Sequence, residues 1–554
     1  MSKFGRQQMG IVIVSILVFV IIGICMIRGV VDNNRNAQLQ NESIDNLVKG
    51  VDIKKATPHK SSIQVGTTTL FDELPDISKY PLSVEGKGSV DIEIFSSGEK
   101  AGKGSDGWLI EEANKFNSEN KKLSSGNTVS ISVRSMTSGL GSDYIASGKY
   151  LPDLYTPSNK LFGELCKIQG GNIKEYNKCL VGNTAGMLVA KNKGYKEVKQ
   201  VLDDVIAGKL NIGYTNPQTS ATGLNLLIQI LKTYDDKDMF SDKAIESFKK
   251  FNENIPFVAY TTQQMRDSAS NGTLDGMVTE YQAYINDEAL KSLYDFIPFG
   301  IRHDNPLYIC NEDGKSADEL EAIKLVNDYL MSDDSQNKAT KYGFNNNKDY
   351  KDSYTIEGVD INKSLQTYKE NKDSDKEIIA VFVADCSGSM DGDPLNRLKS
   401  SLSNGANYIN KNNQVGLVSY NDSVTVELPI KQFDLEQRSY FQGAIDNMSA
   451  GGGTASYDAV LVAMNMIEGV KKDHPNAKTM IFLLSDGQAN GGYSLANITG
   501  ALKKQKTPVY TISYTSSGDK QAMQELSNIN EAASIDADSD DVIYKIKSLF
   551  NSQL

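Results

Sequence analysis

Asp385, Ser387 and Ser389 stand in a D-x-S-x-S spacing directly after an unbroken β-branched and aromatic run, Ile378 to Val383. One carboxylate and two hydroxyls in a tight loop form a cluster of hard oxygens, and hard oxygens suit Mg2+ or Mn2+. A cation held mostly by neutral hydroxyls keeps much of its charge. An acidic group from another molecule could then complete its octahedron at about 2.0 to 2.1 Å. The same residue types also serve a humbler purpose, a serine-rich turn that caps the following helix.

What must position these groups is a strand buried on both faces, which is how the run before Asp385 reads. In an open parallel sheet, ligands bind in the crevice beyond the strands' carboxyl ends, where this loop would lie. Downstream, Pro394 starts a helix through about Asn410, and VGLVSY and SVTVEL follow as strands, the second at an edge. Gly451, Gly452 and Gly453 precede a helix from Ala455 to Ile467. Buried strands at Met480 to Leu484 and Val509 to Tyr514 come next, and a last helix from Asp541 to Phe550. Alternating strands and helices predict a doubly wound α/β sheet.

Three separated motifs, Asp385-Cys386-Ser387-Gly388-Ser389, Gly452-Gly453-Thr454 and Leu484-Ser485-Asp486-Gly487, make residues 376–554 resemble the von Willebrand factor A domain (VWA) with its metal-ion-dependent adhesion site. The resemblance implies a Rossmann-like fold. It also implies that Ser387, Ser389 and Thr454 offer hydroxyl oxygens while Asp385 and Asp486 hold the ion directly or through waters. Mg2+ is the implied cofactor, with Mn2+ or Ca2+ as alternatives, and the implied partner is a protein presenting an acidic residue.

Upstream, VDIEIF at Val90 to Phe95 alternates like a strand and is followed by a glycine-rich loop and an amphipathic helix, Trp108 to Phe116. That loop fails the G-x-x-x-x-G-K-[ST] spacing of a phosphate-binding loop. Another strand, Val129 to Ser135, precedes TSGLGSDYIASG and LPDLYTPS. Ser96, Ser97, Thr137, Ser138, Thr219, Ser220 and Thr222 all lie just before predicted helices, whose free N–H groups bind anions readily. Each also reads as the cap of its own helix. Residues 89–345 resemble a type II periplasmic binding protein, the two-lobed solute receptor of ABC importers. In that resemblance Ala185 to Lys191 crosses into the second lobe and Asn216 to Gly223 forms its ligand loop. Phe296 to Gly300 returns, and the helix Ala317 to Leu330 closes the domain. Glu280 and Tyr281 fall at the hinge, although Tyr281 and Tyr284 at helical spacing also suit packing.

The 554 residues suit three or four domains. A net charge of -12 argues against nucleic acid or an anionic membrane surface as the main partner. Ile11 to Ile27 is apolar except for Ser15 and Gly23, and Lys3 and Arg6 precede it. It reads as a transmembrane signal anchor with residues 1–10 cytoplasmic and the bulk extracytoplasmic. A cleaved signal, or lipidation at Cys25, is the alternative. Polar composition makes 28–88 a spacer, with room for a short helix around Ile44 to Val51, and 346–375 a linker, the latter with apolar periodicity around Ile361 to Tyr368 that suits one docking helix. Five cysteines are too few for a disulfide scaffold. Cys166 and Cys179 could pair, and Cys310 and Cys386 read as small buried side chains. Three histidines in loops, with no H-E-x-x-H and no G-x-S-x-G, give catalysis nothing to stand on. The sequence therefore predicts a membrane-anchored binding protein, its A domain engaging a protein partner through a divalent cation and its two lobes holding a second ligand or serving as scaffold. The alternative is the receptor of an importer with an accessory A domain.

Overall fold

The computed structural model describes residues 39, 42–63, 70–255, 257–259, 265–266, 274–372, 377–486, 489–514, 520–530, 532 and 534–536. The apolar run 11–27, Cys25 and the helix expected over 541–550 lie outside them. Among the described residues no helix is long and apolar enough to cross a membrane. Their strands form three sheets, one of seven strands and two of five.

The first elements correct the reading of 28–88 as a spacer. The helix Ile44–Val48 is capped by Ser43, whose side chain accepts from Asn46 N. It buries Ile44 and Leu47 among Val460, Leu461 and Met464 of the helix Ser456–Lys471. Strand β1 (Ile53–Lys55) then pairs in parallel with Val424 to Val426, far downstream. Past it, Ser61 N donates to Ser439 O at 3.1 Å and the Ser61 hydroxyl donates to Asp446 Oδ2 at 2.6 Å. Gly443 allows this close approach, since a Cβ there would meet His59 O at 1.9 Å. The helix falls where a short one was expected, but composition hides the strand and the contacts after it, in which main-chain bonds, open to any sequence, play a large part. Residues 70–84 are no tether either: Leu74 is buried beside Phe95 and Tyr144, and the Tyr144 hydroxyl donates to Pro75 O at 2.7 Å.

A two-lobed domain follows. Strands β2 (Val90–Ser96), β3 (Val129–Ser135), β4 (Leu154–Thr156) and β5 (Ile173–Asn177) belong to the first lobe. Next, β6 (Thr184–Ala190), β7 (Ile212–Thr215), β8 (Phe257–Ala259), β9 (Gly276–Glu280) and β10 (Tyr294–Arg302) build the second. The chain then returns with β11 (Leu307–Cys310). The sheet orders are β3-β2-β4-β11-β5 and β10-β6-β9-β7-β8. The domain's two crossings thus fall before β6 and after β10, as the resemblance implied. Tyr281 and Tyr284 pack with Phe296, their ring centroids 5.0 and 5.4 Å from its own. Within the stretch read as a linker, the helix Gly358–Asn371 buries Ile361 and Tyr368 in the second lobe's core.

The third sheet runs β1-β14-β13-β12-β15-β16-β17 and comprises β12 (Ile378–Asp385), β13 (Gln414–Tyr420), β14 (Val424–Gln432), β15 (Lys478–Ser485), β16 (Val509–Ser513) and β17 (Ser534–Asp536), with β1 at its rim. All eight residues of β12 are buried, as its continuous apolar run predicts. β12 is parallel to both neighbours, β13 and β15, so the loops after β12 and β15 open on the same side. β14 is antiparallel to β13, and it is no edge because β1 covers it. Cys166, Cys179, Cys310 and Cys386 are all free thiols, so the suggested Cys166 to Cys179 pairing does not form. Cys310 and Cys386 are buried as read.

Candidate metal centre and solute cleft

Asp385 ends the central strand, and its side chain is fully buried. Its Oδ1 accepts from Ser387 N at 2.9 Å, while Oδ2 accepts from the Ser485 hydroxyl at 2.6 Å and the Tyr420 hydroxyl at 2.9 Å. One carboxylate thus ties together the ends of β12, β13 and β15. Burial pushes the Asp385 carboxyl above its ordinary value, the donors from Ser387 and Ser485 oppose this, and the charge of Asp486 adds to it. Ser387 Oγ and Ser389 Oγ lie 3.1 Å apart. An octahedron with bonds of about 2.1 Å spaces neighbouring ligands about 3.0 Å apart, so this hydroxyl pair has the separation an Mg2+ shell needs.

The second loop is fastened to the first through main chain: Gly388 N donates to Gly452 O at 3.0 Å and Gly451 N to Cys386 O at 2.9 Å. Glycine is required at 451 and 452, where φ is 159° and 83°. Thr454, nearly buried, donates its N–H to Asn490 Oδ1 at 2.8 Å, and its carbonyl accepts from Asn490 N at 3.0 Å. Asp422 Oδ1 accepts from Gly453 N at 2.8 Å. Asp486 follows β15 and is nearly buried. The three loops named from sequence are therefore joined, and Tyr420, Ser485, Asp422 and Asn490 complete their scaffold. Only the type of Ser485, inside its motif, was open to notice; the other three lie in loops and a strand with no marking spacing. Among the described residues no group of three His, Cys, Asp or Glu gathers that could hold a metal ion. The Cys386 thiol is pushed up to about 12 by burial, which leaves it inert as a nucleophile at neutral pH.

Between the lobes lies a cavity of about 230 Å3. Ser97, Thr137, Ser138, Thr219, Ser220 and Glu280 line it. Ser96 does not: its hydroxyl turns to Ser97 O at 3.3 Å. Thr222 sits behind the wall and donates its hydroxyl to Glu280 Oε1. Several of the helix-start donors expected for an anion are already paired. Leu140 N donates to Thr137 Oγ1 at 3.3 Å, Gly223 N to Ser220 Oγ at 3.5 Å, and Gly139 N to Thr219 O across the cleft at 3.1 Å. A Cβ at Gly139 would meet Gln218 O at 2.4 Å, so the lobes touch here because the residue has no side chain.

Charges from several elements meet at this cleft. Lys100 Nζ, fully buried, lies 3.0 Å from Glu99 Oε1 and donates to Asn305 Oδ1 at 2.6 Å. Arg266 Nη2 bonds Asp106 Oδ2 at 2.9 Å, and Gln282 Nε2 donates to Ser105 O at 2.7 Å and to Asp106 Oδ1 at 3.1 Å. Burial, then the neighbouring Glu99 charge, pushes the Glu280 carboxyl up to about 7. His303, read as a loop histidine, is fully buried directly after β10, and burial brings it down to about 4. Sequence had no means of separating His303 from a solvated loop residue, because its burial comes from both lobes closing over it.

Comparison with known proteins agrees with this two-part organisation. A von Willebrand factor type A domain model matches residues 380–550, and a bacterial extracellular solute-binding protein model matches residues 101–345. No curated protein matches the chain. Among solved structures, von Willebrand factor type A from Catenulispora acidiphila is 17% identical, over 32% of this chain and 42% of that one, with a TM-score of 0.29. The present chain thus spans less than half of that protein. The sulfate-binding protein SubI from Mycobacterium tuberculosis H37Rv is 14% identical over 51% of this chain and 98% of its own, with a TM-score of 0.37. A periplasmic thiamin binding protein is 12% identical over 51% and 96%, with a TM-score of 0.38. In N-to-C order, then, this chain carries a bacterial extracellular solute-binding domain followed by a von Willebrand factor type A domain.

Proposed function

We propose that the protein is a membrane-anchored, extracytoplasmic binding protein whose A domain engages a protein partner through a divalent cation, Mg2+ in the first instance. Ser387, Ser389 and Thr454 would hold the ion with hydroxyl oxygens, and Asp385 and Asp486 would supply the negative charge behind them. When bound, the ion supplies an electrophilic position for a partner's carboxylate. The protein's own residues do the rest: Tyr420 and Ser485 hold Asp385, and Asn490 holds the Thr454 main chain. The observation that carries the reading is the 3.1 Å hydroxyl pair above a buried, triply hydrogen-bonded carboxylate. The role proposed is binding, not catalysis.

Calorimetric titration of the full chain with Mg2+ and Mn2+ tests it. Wild type should bind, and Ser389→Ala, an exposed position whose loss leaves the fold alone, should weaken binding at least tenfold. No binding by wild type, or equal binding by the variant, removes the reading. Capture of a partner from native membranes should then be abolished by chelator. A second reading, in which the two lobes receive a small solute, is favoured by the cavity between them and its buried charged groups.

A further inference from the structure

Among the described residues two ion pairs stand at the cleft. Lys100 is committed to Glu99 and Arg266 to Asp106, at 3.0 and 2.9 Å. Glu280 faces the cavity, where the charges of Arg266 and Lys100 act on it. The nearest ring nitrogen, His303 Nδ1, is 3.8 Å from its Oε1. His303 Nε2 lies against the Asn159 and Asn225 amide nitrogens at 3.0 and 3.2 Å. Burial brings that imidazole down to about 4, so it is neutral at pH 7. Glu280 is 3% exposed, and although Oε1 accepts from Thr222, Oε2 has no hydrogen-bond partner. Gln282, also buried and also lining the cavity, leaves its Oε1 unpartnered as well.

Both orphan atoms are acceptors. A buried acceptor without a donor is costly, and more so when it is charged, so these two atoms call for donors that the protein does not bring to them. An anion would worsen that balance, and the helix-start donors that would have welcomed one are partly consumed within the protein. None of the described lining residues is aromatic, so there is no ring for a planar or sugar ligand to stack on.

We infer that the cleft receives a small, non-aromatic ammonium compound whose N–H groups donate to Glu280 Oε2 and Gln282 Oε1. This rests on the reading of the cleft as a solute site and names the ligand's chemistry. An ammonium is compact, carries three donors and brings a positive charge to Glu280. The same group arrives either on a free amine or on a lysine side chain of a peptide.

Calorimetry and thermal shift on the full chain in detergent distinguish these outcomes, with methylammonium, n-butylammonium, 1,4-diaminobutane, n-butanol, sulfate and a doubly blocked peptide with one lysine as probes. At least one amine should bind and raise the melting temperature, while n-butanol and sulfate should not. Glu280→Gln should weaken that binding at least tenfold and Gln282→Met by a smaller factor, both with the Mg2+ titration of the A domain unchanged. Binding by the peptide and by no free amine supports the ammonium site and assigns it to lysine side chains. Binding by sulfate or n-butanol with every amine silent overturns the ligand class and leaves the cleft a solute site. Silence across all probes overturns both.

Discussion

Replacing Glu280 by glutamine should remove most of one pH dependence from the solute-binding domain's stability. The free chain's carboxyl titrates near 4.5, and in the fold burial and the Glu99 charge raise it to about 7. Between those values the folded state keeps a proton that the unfolded state releases. Stability therefore falls as pH rises from about 4.5 to 7 and levels off above. A rise of about 2.5 units corresponds to about 3 kcal/mol at pH 8, of which about 1 kcal/mol is already lost at pH 5. Because Glu280 is 3% exposed, little of this is screened by solvent. Glutamine keeps the acceptor for Thr222 and cannot ionise. The chain has a single tryptophan, Trp108, which is fully buried with its ring N–H bonded to Ser335 O, so its fluorescence reports this domain's unfolding. Urea titrations at pH 5 and pH 8 should show Glu280→Gln gaining about 2 kcal/mol on wild type between the two. A stability difference identical at both pH values would refute the reasoning, because it would mean that Glu280 titrates alike folded and unfolded.

Other perturbations have equally defined outcomes. Tyr420→Phe deletes one of the two hydroxyl donors to Asp385 Oδ2 and should destabilise the A domain by about 1–3 kcal/mol in chemical denaturation, with weaker Mg2+ binding. Gly443→Ala places a methyl group where His59 O lies, and should make residues 56–63 newly sensitive to limited proteolysis while β12 to β16 stay protected. With all four described cysteines free, a reducing agent should leave the melting temperature unchanged, and thiol titration of the denatured chain should count them as accessible without prior reduction.

Strongly patterned elements were open to sequence reading. Ile378 to Val383 could only be an inner strand, and Val129–Ser135 and Ala317–Leu330 fall where the residue pattern sets them. The spacing of Asp385, Ser387 and Ser389 named a loop that does converge with Thr454 and stand beside the β15 loop. Groups that act by main chain or at long range were illegible. Asn490 clamps Thr454 from 36 residues away, and nothing about an asparagine between alanine and glycine signals that. In the cleft, local reasoning identified helix starts but not what fills them, since Thr219 O reaches Gly139 N only once two lobes have met. The N-terminal segment was misread for the opposite reason: a three-residue strand with two exposed side chains carries no alternation to detect.

That short strand alters what counts as one domain. A fragment cut at 376, just ahead of the match to the A-type module, would leave β14 with a row of unpaired amide and carbonyl groups, an invitation to stack against another copy. The same arrangement makes the solute-binding part a long excursion between two ribbons of a single sheet, one at its edge and one in its middle, with its entrance and its exit both anchored in the A-type module. Torque or tension on either end of the excursion is consequently delivered to the rim and the centre of that sheet together.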